Sequence, residues 1–349
     1  MKFFLDVDNT ILEHSGFYSI ETESRIHSSI GKFPSENENA IKIMYESAIC
    51  RNPDIVKELF KLENVYILTK YPAIEYEVHK QRRIAEILGI SHDDLINMKD
   101  KNGINKYLFI DNDHSKVQTV KELFKFDTLE NCVLLDDYSA NLIEWENNGG
   151  IAIKYYNEYN NPYHPIKGLS VSNFKIFYPM LHGCPISDLL VSCEDSYLLN
   201  LFVKLLHEKT AADNIDIIQI IYDDLIKKLD IEKMDINSKY NIRNFLLEYY
   251  ALMNSLKPNY WSDILKEKMN DETKASLVCA SFDTDLKKLK IFKDENNLAI
   301  KIMERKDGKT TNIYDVYLTL DENAFLDNID LTLNRLFGIL SMFLFKEVE

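Results

Sequence analysis

Two aspartates stand two residues apart near the start of the chain, in Asp6-Val7-Asp8-Asn9-Thr10. The apolar run before them, Phe3-Phe4-Leu5, reads as a short strand. Both carboxylates therefore fall at a strand's carboxyl end, where open α/β sheets bind ligands. One carboxylate of such a pair can attack phosphorus while the other handles a proton. An acidic loop or a helix N-cap would show the same letters, so the pair needs company. Thr69 follows the apolar run Asn64–Leu68, where a hydroxyl can hydrogen-bond a phosphoryl oxygen. Lys116 precedes a helix after the run Lys106–Ile110, and its ammonium can neutralise a transferring phosphoryl group. Lys121, further along that helix, is its rival. Asp136-Asp137 follow the run Asn131–Leu135, and adjacent acids there suit Mg²⁺, a hard cation that takes oxygen ligands.

The runs that carry these residues are continuous rather than alternating, as strands buried on both faces should be. Lys2–Leu5, Asn64–Leu68, Lys106–Ile110, Asn131–Leu135 and Ile151–Tyr155 alternate with helical patterns at Asp54–Leu62, Ala73–Leu88, Lys116–Phe124 and Ser139–Asn147. That rhythm predicts a parallel sheet with helices on both faces. The stretch Glu13–Arg51 interrupts it, with helices expected at about Glu21–Ile30 and Ser35–Ile49. It reads as a small helical insertion over the carboxyl edge of the sheet. The basic run His79-Lys80-Gln81-Arg82-Arg83 reads as a solvated helix face. A second acidic cluster, Asp111-Asn112-Asp113-His114-Ser115, leaves too little chain before Asp136 for the intervening units. It reads as the loop that delivers Lys116.

Strand-Asp-x-Asp-x-Thr, strand-Thr, Lys before a helix, and strand-Asp-Asp occur here in that order. The pattern resembles the haloacid dehalogenase (HAD) superfamily of phosphotransferases over residues 1–160. The stretch Leu134-Leu135-Asp136-Asp137-Tyr138-Ser139-Ala140-Asn141-Leu142, with Glu144-Trp145-Glu146 and Gly149-Gly150 after it, looks most like the 5′(3′)-deoxyribonucleotidase branch. The resemblance implies a Rossmann-like core at residues 1–168, with the cap at 13–51. It implies Asp6 as nucleophile, forming an aspartyl-phosphate, and Asp8 as the acid and base for leaving group and water. Thr69 and Lys116 would hold the phosphoryl oxygens. Mg²⁺ would be bound by Asp6, the backbone carbonyl of Asp8, Asp136 and Asp137; which of the last two binds directly stays open. Asp8 separates phosphatases from dehalogenases in this superfamily, and its presence argues for the phosphatase. Substrate choice would come from the cap, with Phe17, Tyr18, His27, Phe33, Tyr45 and Arg51 in it, and from Thr10, Lys70 and Tyr71 at the rim. Nucleoside 5′-monophosphates lead the expected substrates of this nucleotidase-like hydrolase. Nucleic-acid ends and phosphosugars are alternatives, because the cap is shorter than the branch's helical bundle. So is a nucleotide-sensing module whose second half binds a protein.

Residues 169–349 match no family pattern. Helices are expected at Ser187–Lys209, Asn214–Leu229, Asn237–Ser255 and Tyr260–Met269. A β-meander is expected over Leu286–Phe292, Leu298–Glu304 and Asn312–Leu320, with a hairpin turn at Asp307-Gly308. An apolar helix, Ile329–Phe345, closes the chain and must be buried. The second domain is thus expected to be mostly helical α+β, and a surface for a protein partner or a second copy.

The 349 residues carry Lys+Arg 41 against Asp+Glu 56, a net charge of −15. That acidic balance argues against a duplex nucleic-acid binder working through a general basic field. No stretch has the length of uncharged apolar sequence that a membrane span needs. The 5 cysteines are scattered without a CxxC pair, which points to a reducing cytoplasm.

Overall fold

The computed structural model describes residues 1–14, 38–71, 74–111, 114–156, 168–183, 188–210, 212–229, 242–269, 276–281, 297–304, 314–320 and 328–344. The chain divides into two compact units, Met1–Phe177 and Tyr178–Glu349. Among the described residues, no helix is long and apolar enough to cross a membrane.

In the first unit the strands are β1 (Lys2–Leu5), β2 (Val65–Lys70), β3 (Tyr107–Ile110), β4 (Cys132–Asp136), β5 (Ile151–Tyr155) and β6 (Gly168–Val171). They lie in the order β3-β2-β1-β4-β5-β6, every neighbour parallel. The helices are α1 (Glu38–Ser47), α2 (Pro53–Lys61), α3 (Ile74–Leu88), α4 (His92–Asn97), α5 (Lys116–Phe124) and α6 (Ser139–Asn147). Continuous apolar strands form because both faces are covered. On one face Phe4, Tyr66, Leu68, Leu108 and Leu134 pack with Val117 and Val120 of α5 and Leu142 and Trp145 of α6. Trp145 is fully buried and meets Phe4 edge-on at 5.4 Å between ring centroids.

Register positions the acids. Leu5 of β1 pairs with Ile67 of β2 on one side and Leu135 of β4 on the other. Asp6 and Asp136 therefore leave the sheet at the same edge and level, and the Asp6 amide still donates to the Leu135 carbonyl at 2.9 Å. Of the expected insertion helices, the second contains α1; the first lies outside the described residues, as do Phe17, Tyr18, His27 and Phe33.

The second unit departs from the sequence expectation. It contains α7 (Tyr178–His182), β7 (Asp188–Ser192), α8 (Ser196–Thr210), β8 (Asp213–Asp216), α9 (Ile217–Leu229), α10 (Arg243–Leu256), α11 (Tyr260–Lys268), β9 (Ser276–Ala280), β10 (Asn297–Glu304), β11 (Val316–Leu320) and α12 (Ile329–Leu344). Its strands are ordered β11-β10-β7-β9-β8, again all parallel. β10 and β11 run side by side in the same direction, so no hairpin joins them and the expected meander is wrong. The start of the helix expected from Ser187 is instead the strand Asp188–Ser192, and the start of the one expected from Asn214 belongs to β8. The physical reason is an ambiguity of short apolar runs. A strand buried on both faces and a buried helix turn look alike in sequence. Leu286–Phe292 and Asp307-Gly308 lie outside the described residues. The closing helix α12 does bury its apolar side within this unit, packing on α7 and α8 with Phe337 edge-on to Phe202 at 5.8 Å.

Candidate active site

The turn after β1 carries the first acids. Asn9 sits in the left-handed region at φ 56°, which asparagine tolerates, and the Leu12 amide closes the turn onto the Val7 carbonyl at 2.8 Å. Thr10 is fully buried there, its hydroxyl without a hydrogen bond. Asp6 and Asp8 both face the carboxyl edge but meet different partners.

Asp6 is joined to the acids at the end of β4 by Lys116. The Lys116 ammonium donates to Asp6 Oδ1 at 2.6 Å and to Asp136 Oδ2 at 2.7 Å, and only 2% of the side chain is exposed. Lys116 is the first residue of α5, held there by Ser115, whose hydroxyl accepts the Gln118 amide at 2.9 Å. A cation at a helix's N-terminal end opposes the helix dipole; the two carboxylates offset that cost. Asp136 is completely buried. It also accepts the Tyr138 amide at 2.7 Å and the Asn141 side-chain amide at 2.9 Å. One carboxylate oxygen from each of Asp6, Asp136 and Asp137 lies within 4.8 Å of the others. Burial, added to the charges of Asp136 and Asp8, pushes the Asp6 carboxyl up to about 6 against the pull of Lys116. Burial and the same crowding push Asp137 well above the ordinary carboxylate range, against Lys154 and Lys116.

Asp8 has a different environment. Its Oδ2 accepts from Lys80 at 2.5 Å and its Oδ1 from His14 Nε2 at 3.0 Å. Burial pushes this carboxyl up, but the Lys80 ammonium and the His14 contact outweigh it and hold the group well below the ordinary range. Lys80 also donates to Thr69 Oγ1 at 3.1 Å and to the Lys70 carbonyl at 2.6 Å. Thr69 is wholly buried in β2.

The structure thus brings Asp6, Asp8, Thr69, Lys116, Asp136 and Asp137 to one edge. Arg51 is tied elsewhere: its guanidinium pairs with Glu13 at 2.9 Å and donates to the Ser172 carbonyl at 3.0 Å. Tyr45 is buried against the His14 ring, edge-on at 5.3 Å. Lys70 is half-buried, and Tyr71 stacks on Phe109 at 4.3 Å with an interplanar angle of 8°. Lys121 donates to Asn148 at 2.8 Å and is no rival to Lys116. His114 and Asp111 pair with each other, both exposed, in the loop that leads to Lys116.

Three residues of the site escape a reading of the sequence. Lys80 does not lie on a solvated face; it is completely buried, and Gln81 beside it is nearly so. A cue is present: Tyr76, Lys80, Ile84 and Leu88 recur every four residues, which puts the lysine on the core stripe of α3. His14 is buried just past the Asp8 turn. Lys154, buried in the apolar run of β5, donates to the Asp137 backbone carbonyl at 3.2 Å; a charge inside a two-face-buried strand is the cue there.

No family model matches the chain, and no curated protein matches it. Among solved structures, a HAD-superfamily hydrolase from Ehrlichia chaffeensis is similar at 13% identity, covering 52% of this chain and 94% of that one, with a TM-score of 0.28. So distant a likeness says nothing of activity or substrate.

Proposed function

We propose that the chain is a Mg²⁺-dependent phosphomonoester hydrolase working through an aspartyl-phosphate on Asp6. The convergence of Asp6, Asp136 and Asp137 on one point, with Lys116 bridging two of them, carries the reading. The residues fit a hard divalent cation. The donors are carboxylate oxygens, and Asp6 and Asp137, raised by burial and then by neighbouring carboxylates, are buried acids whose ionised form such a cation would favour. Asp6, Asp137 and the Asp8 carbonyl would hold it. Asp136 would serve through its neighbours, since Lys116, Asn141 and the Tyr138 amide already engage it. Bound there, Mg²⁺ supplies the positive charge that lets an anionic carboxylate approach an anionic phosphate.

The chain's own groups divide the remaining work. Asp6 Oδ2 attacks phosphorus, its Oδ1 being engaged by Lys116. An ammonium has three donors; Lys116 gives two to carboxylates, which leaves the third for a phosphoryl oxygen. The Thr69 hydroxyl accepts from Lys80 and donates to the Lys70 carbonyl at a long 3.4 Å, a bond it would exchange for one to a phosphoryl oxygen. Asp8 gives a proton to the leaving oxygen, then takes one from the attacking water. The resting site holds Asp8 as a carboxylate, and phosphoryl charge arriving beside it pulls it back toward the protonated form.

For the substrate, a small phosphomonoester fits, with nucleoside 5′-monophosphates first. The stacked Tyr71 and Phe109, both half-buried, offer a flat apolar surface next to Lys70, and the Phe109 ring lies 5.9 Å from Lys80 Nζ. A cytoplasmic location belongs to the same proposal, on the ground of cysteines scattered without a CxxC pair. A task for the second unit in binding a protein or a second copy belongs to the same proposal.

Phosphate release from nucleoside monophosphates, sugar phosphates and an aryl phosphate tests it. Turnover is expected with Mg²⁺, absent with EDTA, and reduced by at least about a thousandfold in Asp6→Asn. Folded protein with Mg²⁺ that releases phosphate from none of them would sink the proposal.

A further inference from the structure

We infer that Lys80 and His14 are positioning residues that clamp the two carboxylate oxygens of Asp8 and so fix it for proton transfer at the phosphoryl group. The inference rests on the hydrolase proposed above. Its ground is a count of donors. Lys80 spends its three N–H bonds inside the protein, on Asp8 Oδ2, the Lys70 carbonyl and Thr69 Oγ1. It has none left for a substrate oxygen, unlike Lys116. A completely buried ammonium on the core stripe of a helix is strongly destabilising unless fully paired. Its place in α3 is therefore explained by what it holds.

His14 completes the hold from the other side. A carboxylate only accepts, so the contact of His14 Nε2 with Asp8 Oδ1 at 3.0 Å places a proton on that nitrogen. The ring is 1% exposed and fixed by its edge-on packing against Tyr45. One hydrogen bond lets a carboxylate swivel about its last torsion; bonds to both oxygens stop the swivel. The two aspartates of the motif are thereby separated. Asp6 has one oxygen engaged and one directed at phosphorus, as a nucleophile needs. Asp8 has both oxygens oriented, as a proton carrier between two partners needs. In the first half-reaction the Asp6–phosphorus bond forms, the bond to the leaving oxygen breaks, and that oxygen takes the Asp8 proton. In the second, water forms the new bond to phosphorus, the Asp6 bond breaks, and the water proton passes to Asp8.

The step that needs Asp8 separates this role from a structural one. With 4-nitrophenyl phosphate the leaving group departs without a proton, so only the second half-reaction depends on Asp8. Full-length wild type, Lys80→Met, His14→Phe, Asp8→Asn and Lys80→Met/Asp8→Asn would be followed by quenched flow with Mg²⁺. Expected in both single clamp variants is a nitrophenolate burst of near wild-type rate, then steady turnover slowed by at least about tenfold, with phosphoenzyme accumulating. The double variant should be no slower than Asp8→Asn alone. A burst slowed in step with turnover, or losses that multiply in the double variant, would overturn the clamp and assign Lys80 to the phosphoryl group or to general packing. His14→Phe keeps the packing on Tyr45 and decides the question if Lys80→Met does not fold. Wild type that forms no phosphoenzyme would instead refute the hydrolase reading itself.

Discussion

Four carboxylates and three lysines share the first unit's edge, and the balance between them differs from one residue to the next. Asp137 is the carboxyl with the least help: its neighbours Asp136 and Asp6 repel it, while Lys154 reaches its backbone rather than its carboxylate. An acid whose pKa is raised by folding holds its proton longer in the native state than in the unfolded one. Its penalty is absent below the ordinary carboxylate range and grows as pH rises through it toward the raised value. In EDTA at pH 7.5, Asp137→Asn should therefore melt higher than wild type, by roughly 2–4 °C for about 1 kcal/mol. The gain should vanish near pH 4. In saturating Mg²⁺ the order should reverse, because a ligand stabilises the form that binds it better. Thermal melts across pH, with and without metal, check all three. Asp6, Asp8, Thr69, Lys116, Asp136 and Asp137 can be singled out from the letters because each comes after an apolar run. Lys80 cannot be assigned to Asp8 in that way, since its partner lies far away in sequence and only the packing of α3 joins them.

The elements that carry the site owe their placement to a few close contacts. Gly150 immediately precedes β5, and a Cβ there would collide with the Trp145 indole and press on Leu129. That indole donates to the Cys132 carbonyl at 3.2 Å and so ties α6 to the start of β4, the strand that ends in Asp136. Gly150→Ala should destabilise the first unit by about 1–3 kcal/mol through overpacking. Chemical denaturation would read it as a lower midpoint with an unchanged slope. The Glu144-Trp145 and Gly149-Gly150 letters are visible in the sequence, but the need for a glycine arises only when the tryptophan folds back over it. The ends of β1 to β5 are legible to within a residue or two, where helices punctuate the strands, whereas β6, which no helical pattern separates from β5 in the sequence reading, is not among the expected strands. In the second unit the strands β7 and β8 merge with neighbouring helices in the sequence pattern, and the one break before α8 is Asp195, whose carboxylate accepts the Tyr197 and Leu198 amides and so caps the helix after the strand Asp188–Ser192.

On the scale of the whole chain, a net charge of −15 coexists with buried cationic side chains gathered at one edge. Charge on the surface governs solubility and partners; charge at the site is a matter of local pairing. The chain forms two compact units, each with buried residues of its own. In the second, Trp261 is buried, donates to the Tyr250 carbonyl at 3.0 Å and stacks on the Tyr250 ring at 5.5 Å. Trp261→Ala should cost about 3–5 kcal/mol in that unit. Phosphate release should stay near wild type at temperatures where the first unit remains folded. Calorimetry paired with the activity assay checks this, and a parallel loss of activity well below the melt would count against independent units.

Composition and periodicity alone determined that the first half is a parallel α/β layer with its acids at the strand ends. Apolar runs must be buried and their period reports how. The second half's parallel sheet, the inward turn of Lys80, the engagement of Arg51 by Glu13 and the hold of His14 on Asp8 were decided only by the tertiary structure. Each depends on partners distant in sequence or on which side of an element faces the core. A buried charge is recognised by what surrounds it, and a linear sequence does not carry its surroundings.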